Sequence, residues 1–345
     1  MPVSVVVGGQ YGSEGKGKVA YHLANEDPDV EIVVRPGGTN SGHTVISDDG
    51  LPIALRQLPA ASISARPHVV IPSGAYVDVE LLLKEMSRTG LSANRLTISP
   101  YAHVITEAQK KAEHDEGLTT SIGSTGSGTG AAVRDRVARR PSLSGGHQAM
   151  DDERLQPFVD DPLDMMRSVL ERGRRILVEG TQGFGLSPLH GGAWPKATSR
   201  DTTAASFVAE TGLSPRDVDR VIMVLRTFPI RVAGSSGPLL NETTWNAIAD
   251  EAGIGRDLTE RTTVTKKVRR VGMFDAGIVR RAIAVNRPSE IVLNHVDYID
   301  GRGTPRLVTS RMREFVSKVE SQIGCRIDRI GLSPSHLSRN PCSVS

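Results

Sequence analysis

The sequence predicts an α/β fold: one large domain with a mostly parallel central sheet. Six short β-branched runs are bounded by Gly or Pro, and helix-like stretches lie between them. Such runs are typical of strands buried on both faces of a parallel sheet, and their alternation with helices is typical of α/β proteins. A glycine-rich segment follows the first run, in the position where α/β proteins carry phosphate-binding loops. We therefore predict a P-loop-like turn after the first strand.

The predicted strands, in chain order, are Val3–Val7, Ile32–Val34, Val69–Ile71, Ile176–Val178, Val221–Leu225 and Ile291–Leu293. The predicted helices are Val19–Asn25, Asp78–Arg88, His103–Glu116, Leu163–Arg172, Asp275–Val285 and Arg311–Ile323. Gly117–Gly130 and Pro141–Gly146 are rich in Gly with Ser or Thr, so we expect mobile loops there rather than linkers. Because the alternation resumes after them, we predict a single domain over residues 1–345.

Composition excludes several classes of function. Aromatic residues make up 4% of the chain, which argues against stacking platforms for single-stranded nucleic acid. Lys and Arg number 42 and Asp and Glu 39, a balance too even for a dedicated polyanion binder. No apolar run approaches the roughly 20 residues of a membrane helix, and we expect no signal peptide. We therefore expect no nucleic acid and no membrane as partners.

The two cysteines, Cys325 and Cys342, form neither a disulfide framework nor a zinc spacing. A reducing compartment is the simpler interpretation, so we predict a cytoplasmic protein.

The strongest local signal is residues 8–18, Gly-Gly-Gln-Tyr-Gly-Ser-Glu-Gly-Lys-Gly-Lys. Between a strand and a helix, such a segment directs backbone N–H groups and a helix N-terminus at an anion. Gly12 to Lys18 fits the first seven positions of the P-loop pattern, but Val19 stands where Ser or Thr should hold magnesium. The spacing does not fit a dinucleotide loop, and two lysines favour a transferred phosphate. A plain turn with solvated lysines is the alternative.

A second signal, Arg-Pro-Gly-Gly-Thr-Asn-Ser-Gly-His-Thr at residues 35–44, follows the second predicted strand. Ligands of α/β folds gather at such strand ends. His43 lies among small residues and can approach a phosphate as an acid or electrophile. A loop histidine alone is usually solvated, so this segment indicates a phosphate site only in combination with the first segment.

Together these segments resemble the adenylosuccinate synthetase family, over nearly the whole chain. Further matches follow in the family's order: Ser124-Thr125-Gly126 with Val137-Ala138-Arg139-Arg140, Glu179-Gly180-Thr181-Gln182-Gly183, Ala197-Thr198-Ser199, Val268-Arg269-Arg270-Val271-Gly272 and Asn294-His295-Val296-Asp297. The resemblance implies a ligase in which a nucleoside triphosphate phosphorylates O6 of a 6-oxopurine monophosphate. The amine of L-aspartate then displaces phosphate from C6, while Mg²⁺ and lysines offset the charge of the transferring group.

The resemblance also implies a set of site residues. The catalytic residues are Ser13, Lys16, His43 and Gln182, with His43 as the acid. The triphosphate is bound by Gly12, Ser13, Glu14, Gly15, Lys16, Gly17, Lys18, Gly42, His43, Thr44, His295, Asp297, Gly331 and Ser333. The purine monophosphate is bound by Ser13, Asn40, Thr125, Arg139, Gln182, Thr198 and Lys267. Aspartate is bound by Thr263, Val264, Thr265, Lys266, Lys267 and Arg269, and Mg²⁺ by Ser13 and the Gly42 carbonyl. In the family, the residue matched by Arg139 reaches the nucleotide of a neighbouring subunit, which implies a homodimer.

Ser13 is the main departure from the family, whose members carry Asp at this position. That Asp takes the N1 proton of inosinate, whereas a serine hydroxyl is a poor base and adds no charge to a metal site. Because N1 lies beside C2, the smaller Ser13 leaves room for a C2 substituent, and guanine is the natural 6-oxopurine with a 2-amino group. This resembles the phage branch of the family, the 2-aminoadenylosuccinate synthetases, which join aspartate to dGMP. The N1 base stays open between Glu14 and the aspartate substrate.

Two further departures point the same way. Lys267 stands where the family places an Arg near the ribose hydroxyl, which fits a 2′-deoxyribose. His295 replaces a Lys of the guanine-binding segment, and Ser333-Pro334 replaces Gly-Pro, so we expect ATP or dATP rather than GTP. We predict a dGMP–aspartate ligase of a phage, located in the host cytoplasm. The alternatives are an adenylosuccinate synthetase that uses IMP and GTP, an inactive enzyme, and a non-catalytic nucleotide sensor.

Overall fold

The computed structural model describes residues 2–47, 49–139, 145–262, 266–304 and 307–341. Strands in these residues are β1 (Val3–Gly8), β2 (Val30–Val34), β3 (His43–Ile46), β4 (Pro52–Leu55), β5 (His68–Ile71), β6 (Tyr76–Val77), β7 (Leu96–Ile98), β8 (His103–Val104), β9 (His147–Gln148), β10 (Arg175–Glu179), β11 (Val218–Arg226), β12 (Ile230–Arg231), β13 (Glu242–Thr243), β14 (Arg270–Gly272), β15 (Glu290–Asn294), β16 (Arg329–Gly331) and β17 (Leu337–Arg339). The α-helices are α1 (Lys16–Glu26), α2 (Val79–Thr89), α3 (Glu107–Asp115), α4 (Leu118–Ser121), α5 (Thr129–Ala138), α6 (Leu163–Glu171), α7 (Ala204–Thr211), α8 (Trp245–Ala252), α9 (Ala276–Asn286) and α10 (Ser310–Ile323).

A nine-stranded sheet runs through the described residues in the order β17-β16-β15-β11-β1-β10-β2-β5-β7. Its neighbouring strands are parallel, except for the antiparallel pair of β16 and β17 at one edge. The central strand β1 has β10 on one side and β11 on the other, with Val5 opposite both Val178 and Val221. All six predicted strands belong to this sheet, so the predicted fold class is confirmed.

Strand β1 is buried on both faces because alternate side chains enter two hydrophobic clusters. Val5 and Val7 pack with Phe207 of α7 in one cluster, whereas Val6 packs with Val19 of α1 in the other. A strand with helices on both sides exposes no polar face, which explains why four of its six residues are Val. None of the described helices is long and apolar enough to cross a membrane.

Two predicted segments differ from the structure. The helix predicted over 103–116 begins only at Glu107, because His103 and Val104 pair in a small sheet with β6 and β9. Thr106 caps the helix, accepting a hydrogen bond from Gln109 N at 3.3 Å. The loop predicted over 117–130 contains the short helix α4 and the first residues of α5. Of the loop predicted over 141–146, residues 141–144 lie outside the described residues.

Candidate functional site

A cavity of about 520 Å³ lies beyond the carboxyl ends of β1, β2, β10 and β11, which is the usual ligand position in a parallel sheet. Its wall brings together many of the residues that sequence analysis proposed for the purine monophosphate and aspartate, namely Ser13, Asn40, Thr125, Gln182, Thr198, Lys267 and Arg269, together with Gly42 of the proposed triphosphate and magnesium sets. These residues are far apart in the chain, and the strand ends bring them to one place.

Glu14 organises the loop after β1. One oxygen of its fully buried carboxylate accepts hydrogen bonds from Gly12 N at 2.7 Å and Gln10 N at 3.2 Å. The other oxygen lies 2.7 Å from the Lys16 ammonium, which is also buried. Because both oxygens already have partners, this geometry favours a structural role for Glu14 over the proposed role as N1 base.

Ser13 holds a left-handed backbone conformation, with φ of 57°. Its hydroxyl accepts a hydrogen bond from the Arg269 guanidinium, and its carbonyl accepts one from Arg226 Nη1 at 3.0 Å. The departure from the family that sequence analysis identified therefore lies in the cavity wall, in contact with the proposed aspartate-binding loop.

His43 begins β3 and is buried beside two charged residues. Its Nδ1 contacts Glu179 Oε1, and the Arg35 guanidinium lies 2.8 Å from the same carboxylate oxygen. The other Glu179 oxygen accepts a hydrogen bond from Ala60 N at 2.8 Å. His43 Nε2 is buried and has no hydrogen-bond partner among the described residues, so this nitrogen is available to a ligand.

The surroundings of His43 keep its imidazole neutral. Burial, followed by the positive charges of Arg35 and Lys16, lowers the pKa of His43 to about 4, although Glu179 acts in the opposite direction. With the proton on Nδ1 directed at Glu179, Nε2 carries the free lone pair. Sequence analysis did not assign roles to Arg35 and Glu179. In the sequence, each of the two is a charged residue that directly follows an apolar predicted strand: Arg35 follows Val34, and Glu179 follows Val178.

The residues that sequence analysis proposed for the purine monophosphate are connected through side-chain amides and hydroxyls. Asn40 Nδ2 donates to Thr198 Oγ1 at 3.2 Å, and Gln182 Nε2 donates to the Asn40 carbonyl at 3.3 Å. The Thr125 hydroxyl is buried without a hydrogen-bond partner in the described part of the chain. Such a hydroxyl is suited to a polar ligand, because a buried polar group without a partner is unfavourable.

Glu113 shapes the loop that carries Thr125, and sequence analysis missed it. Its carboxylate accepts hydrogen bonds from the backbone N–H groups of Gly128 at 3.0 Å and Gly130 at 2.5 Å. A buried carboxylate that accepts hydrogen bonds from backbone amides can hold a glycine-rich loop in one conformation, even though the loop has no regular secondary structure. The residue lies in a predicted helix, where an isolated glutamate carries no signal of this role.

A second group of proposed triphosphate residues meets around Lys18. Its Nζ donates to the Ser333 carbonyl at 3.1 Å, and a Cβ added to Gly331 would lie 2.4 Å from the same nitrogen. Burial lowers the pKa of Lys18 to about 8, with Asp297 opposing the shift. Burial likewise raises the pKa of Asp297, against the effect of Lys18. A buried lysine of this kind gains most from an added anion.

Other proposed residues differ in where they lie: some are buried, some are exposed away from the cavity, and some lie outside the described residues. His295 adopts a left-handed conformation, and burial followed by Arg226 lowers the pKa of its imidazole well below the usual value. Thr44 is exposed on β3, and Arg139 is exposed at the end of α5, away from the cavity wall. Thr263, Val264 and Thr265 lie outside the described residues, whereas their neighbour Lys267 lines the cavity.

The proposed magnesium ligands are neutral oxygens. Ser13 and Gly42 line the cavity, and the described residues contain no cluster of three acidic, His or Cys side chains that could hold a metal ion. Mg²⁺ commonly keeps its water ligands and binds substrate phosphates rather than a protein cage. The donor set therefore fits an ion that arrives with a triphosphate.

Comparison with known proteins gives consistent matches. The family model for adenylosuccinate synthetase matches residues 5–147 and 145–310. Adenylosuccinate synthetase of Pyrococcus horikoshii is 36% identical over 342 residues, covering 97% of this chain and 96% of its own. That of Methanocaldococcus jannaschii is 37% identical over 339 residues, covering 96% and 94%.

Two solved structures share the fold. Cyanophage S-2L succinoaminodeoxyadenylate synthetase, bound to dGMP and dATP, has a TM-score of 0.82 and 28% identity, covering 99% of this chain and 95% of its own. Adenylosuccinate synthetase from Plasmodium falciparum has a TM-score of 0.81 at 19% identity, covering 99% and 100%. At that identity the second likeness shows the fold alone.

Proposed function

This chain belongs to the adenylosuccinate synthetase family and is a ligase that forms a C–N bond; within that family, we propose that it joins L-aspartate to C6 of dGMP. The donor is ATP or dATP, and the products are 2-amino-2′-deoxy-N6-succinyladenylate, the nucleoside diphosphate and phosphate. The observation that carries the proposal is Ser13, a small neutral side chain in the cavity wall where the family has a carboxylate.

The volume and charge at position 13 support a 2-aminopurine. Asp is larger than Ser, and the family's Asp meets N1, next to C2. A serine leaves space for an amino group at C2, and its hydroxyl oxygen can accept a hydrogen bond from that group. The cyanophage enzyme, whose structure contains dGMP and dATP, provides a precedent for this substrate within the same fold.

The proposed chemistry uses the two lysines after β1 and His43 together with residues of the cavity wall. Lys16 and Lys18 would bind the triphosphate, and Mg²⁺ near Ser13 and Gly42 would offset phosphoryl charge when bound. His43 Nε2, buried and without a partner in the described chain, would take up a proton as the anionic phosphates bind and would then donate it to the phosphoryl group on O6, which is the acid role that the resemblance implies. Because both Glu14 oxygens have partners, we favour the aspartate substrate as the acceptor of the N1 proton.

The donor and the sugar follow from two other positions. Lys267 lines the cavity and lacks the planar fork of an arginine, which suits a sugar without a 2′-hydroxyl. His295 and Asp297 stand in the base-binding segment of the family, where His replaces Lys. This change weakens the case for GTP.

Arg139 supports a homodimer. It is exposed at the end of α5 and does not line the cavity of its own protomer. A phosphate of the neighbouring protomer would give this arginine a partner. For a phage-encoded enzyme, the site of action would be the host cytoplasm.

Adenylosuccinate synthesis from IMP with GTP is the second candidate. The archaeal adenylosuccinate synthetases are 36% and 37% identical to this chain, against 28% for the cyanophage enzyme. A higher overall identity favours the common family activity, whereas Ser13 favours dGMP.

The decisive experiment crosses four purines with three donors. Purified protein with aspartate and Mg²⁺ is given dGMP, GMP, dIMP or IMP, each with ATP, dATP or GTP. Phosphate release is measured, and the succinylated product is identified by mass. We expect the highest kcat/KM for dGMP with ATP or dATP, by about tenfold or more over IMP. Preference for IMP with GTP would contradict the proposal, and no turnover with any pair would favour a nucleotide sensor.

A further inference from the structure

An ion pair between a fully buried arginine and a partly buried glutamate lies behind the cavity wall, between the loop after β1 and the proposed aspartate loop. Arg226 is fully buried at the end of β11, with Nη2 2.5 Å and Nη1 3.2 Å from the two carboxylate oxygens of Glu260. Burial raises the pKa of Glu260, but the positive charge and hydrogen bonds of Arg226, together with His295 and Arg269, lower it to about 2. Both groups are therefore charged at neutral pH, in the planar paired geometry that arginine forms with carboxylates.

Arg226 holds both ends of the segment that carries Ser13. Its backbone N–H donates to Gln10 Oε1 at 2.9 Å, and Gln10 Nε2 donates back to its carbonyl at 3.1 Å. Its Nη1 donates to the Ser13 carbonyl at 3.0 Å. The backbone of Arg226 thus fixes Gln10, while its side chain fixes Ser13.

Glu260 in turn is hydrogen-bonded through its backbone to the proposed aspartate loop. Its carbonyl accepts a hydrogen bond from Arg269 N at 2.9 Å. Within the same loop, Thr262 N donates to the Lys267 carbonyl at 2.9 Å, and Arg261 and Val268 form an isolated bridge. Arg269 therefore leaves this loop at a position set by Glu260, and its guanidinium reaches the Ser13 hydroxyl.

We infer that the Arg226–Glu260 pair is a positioning element that sets the separation between Ser13 and Arg269. The inference rests on the proposed function, in which Ser13 faces C2 of the purine and Arg269 binds a carboxylate of aspartate. Neither Arg226 nor Glu260 lines the cavity, so their effect is on geometry. In the reaction, the amine must reach C6, and a misplacement of about 1 Å can reduce rate about 100-fold.

The alternative is a pair that serves stability alone. Well-packed apolar side chains of similar volume often replace a buried ion pair without loss of stability. Apolar side chains would not donate to the Ser13 carbonyl. Replacing both Arg226 and Glu260 by apolar residues therefore separates a role in stability from a role in positioning Ser13.

The test compares Arg226→Met/Glu260→Met with the wild type and with Arg167→Met/Asp217→Met. The control pair joins α6 to the residue before β11, at the opposite end of the strand that carries Arg226. Unfolding in urea gives stability, and initial rates give KM for aspartate, dGMP and ATP separately. For the Arg226/Glu260 variant we expect near-wild-type stability, at least a tenfold higher KM for aspartate and an unchanged KM for ATP. We expect unchanged kinetics for the control pair.

Wild-type kinetics in a stably folded Arg226/Glu260 double variant would overturn the inference. If that variant does not fold, Glu260→Ala removes the carboxylate that holds the Arg226 side chain, and a KM for aspartate within twofold of the wild type would overturn the inference. Should the wild type prefer IMP over dGMP, the same measurements are made with IMP. The proposed substrate would then fail, while the positioning role would still be tested.

Discussion

Replacement of Ser13 by Asp tests whether this position selects the purine. Ser13 has φ of 57°, a left-handed conformation that Asp and Asn tolerate better than most residues, so the backbone should keep its place. Asp adds volume where we place the C2 amino group, and overpacking of this kind costs about 1–3 kcal/mol. Since about 1.4 kcal/mol corresponds to a factor of ten, we expect kcat/KM for dGMP relative to IMP to fall roughly 5- to 150-fold.

The same substitution should weaken aspartate binding. Arg269 now donates to the Ser13 hydroxyl, and the carboxylate introduced by Ser13→Asp would turn this hydrogen bond into an ion pair that is stronger by about 1–2 kcal/mol. Arg269 would have to leave that carboxylate to bind the substrate. We therefore expect the KM for aspartate to rise about tenfold.

Ser13→Asn is the matched control, because it has the size of Asp without its charge. It should lower the preference for dGMP but leave the KM for aspartate close to that of the wild type. Initial rates of phosphate release with dGMP and IMP at varied aspartate give both quantities. An unchanged ratio of dGMP to IMP in both variants would refute the assignment of Ser13 to purine selection.

Three further predictions follow from the same site. His43→Ala should abolish turnover and leave nucleotide binding by calorimetry within about threefold, because one buried contact is lost; parallel loss of binding would contradict this. Burial lowers the pKa of Lys18 to about 8, so the charge is present below pH 8 and lost above it. The KM for ATP should rise about tenfold from pH 7 to 9 and stay flatter in Lys18→Arg; equal profiles would contradict a role for Lys18. Glu14→Gln should lower the free energy of unfolding in urea by about 3–5 kcal/mol, since Lys16 loses its buried partner. Lost turnover at wild-type stability would instead restore Glu14 as the N1 base.

The sheet was predictable because its strands are buried on both faces. Runs such as Val3–Gly8 contain few polar residues, a composition typical of strands that are buried on both faces. The short strand β8 was not predictable, because His103 and Val104 precede a helical pattern without a break. Only pairing with distant residues in β6 and β9 identifies them as a strand.

The loops of the site were predictable, whereas their supporting contacts were not. Ser13, Asn40 and Gln182 follow predicted strands, and parallel strands place their carboxyl ends at one edge. By contrast, Glu179 lies 136 residues from His43, and Arg226 lies 213 residues from Ser13. Sequence spacing carries no information about such pairs unless the strand order is known.

The strand order has a consequence for synthesis of the chain. β1 is made first, yet its two neighbours, β10 and β11, end at Glu179 and Arg226. The ribosome makes the loop after β1 early, but it must synthesise more than half of the chain before both strands that flank β1 exist. Such long-range pairing is slow and leaves strand edges exposed to aggregation. We therefore expect fragments that end before Arg226 to bind chaperones and to lack nucleotide affinity, although they contain the whole glycine-rich segment.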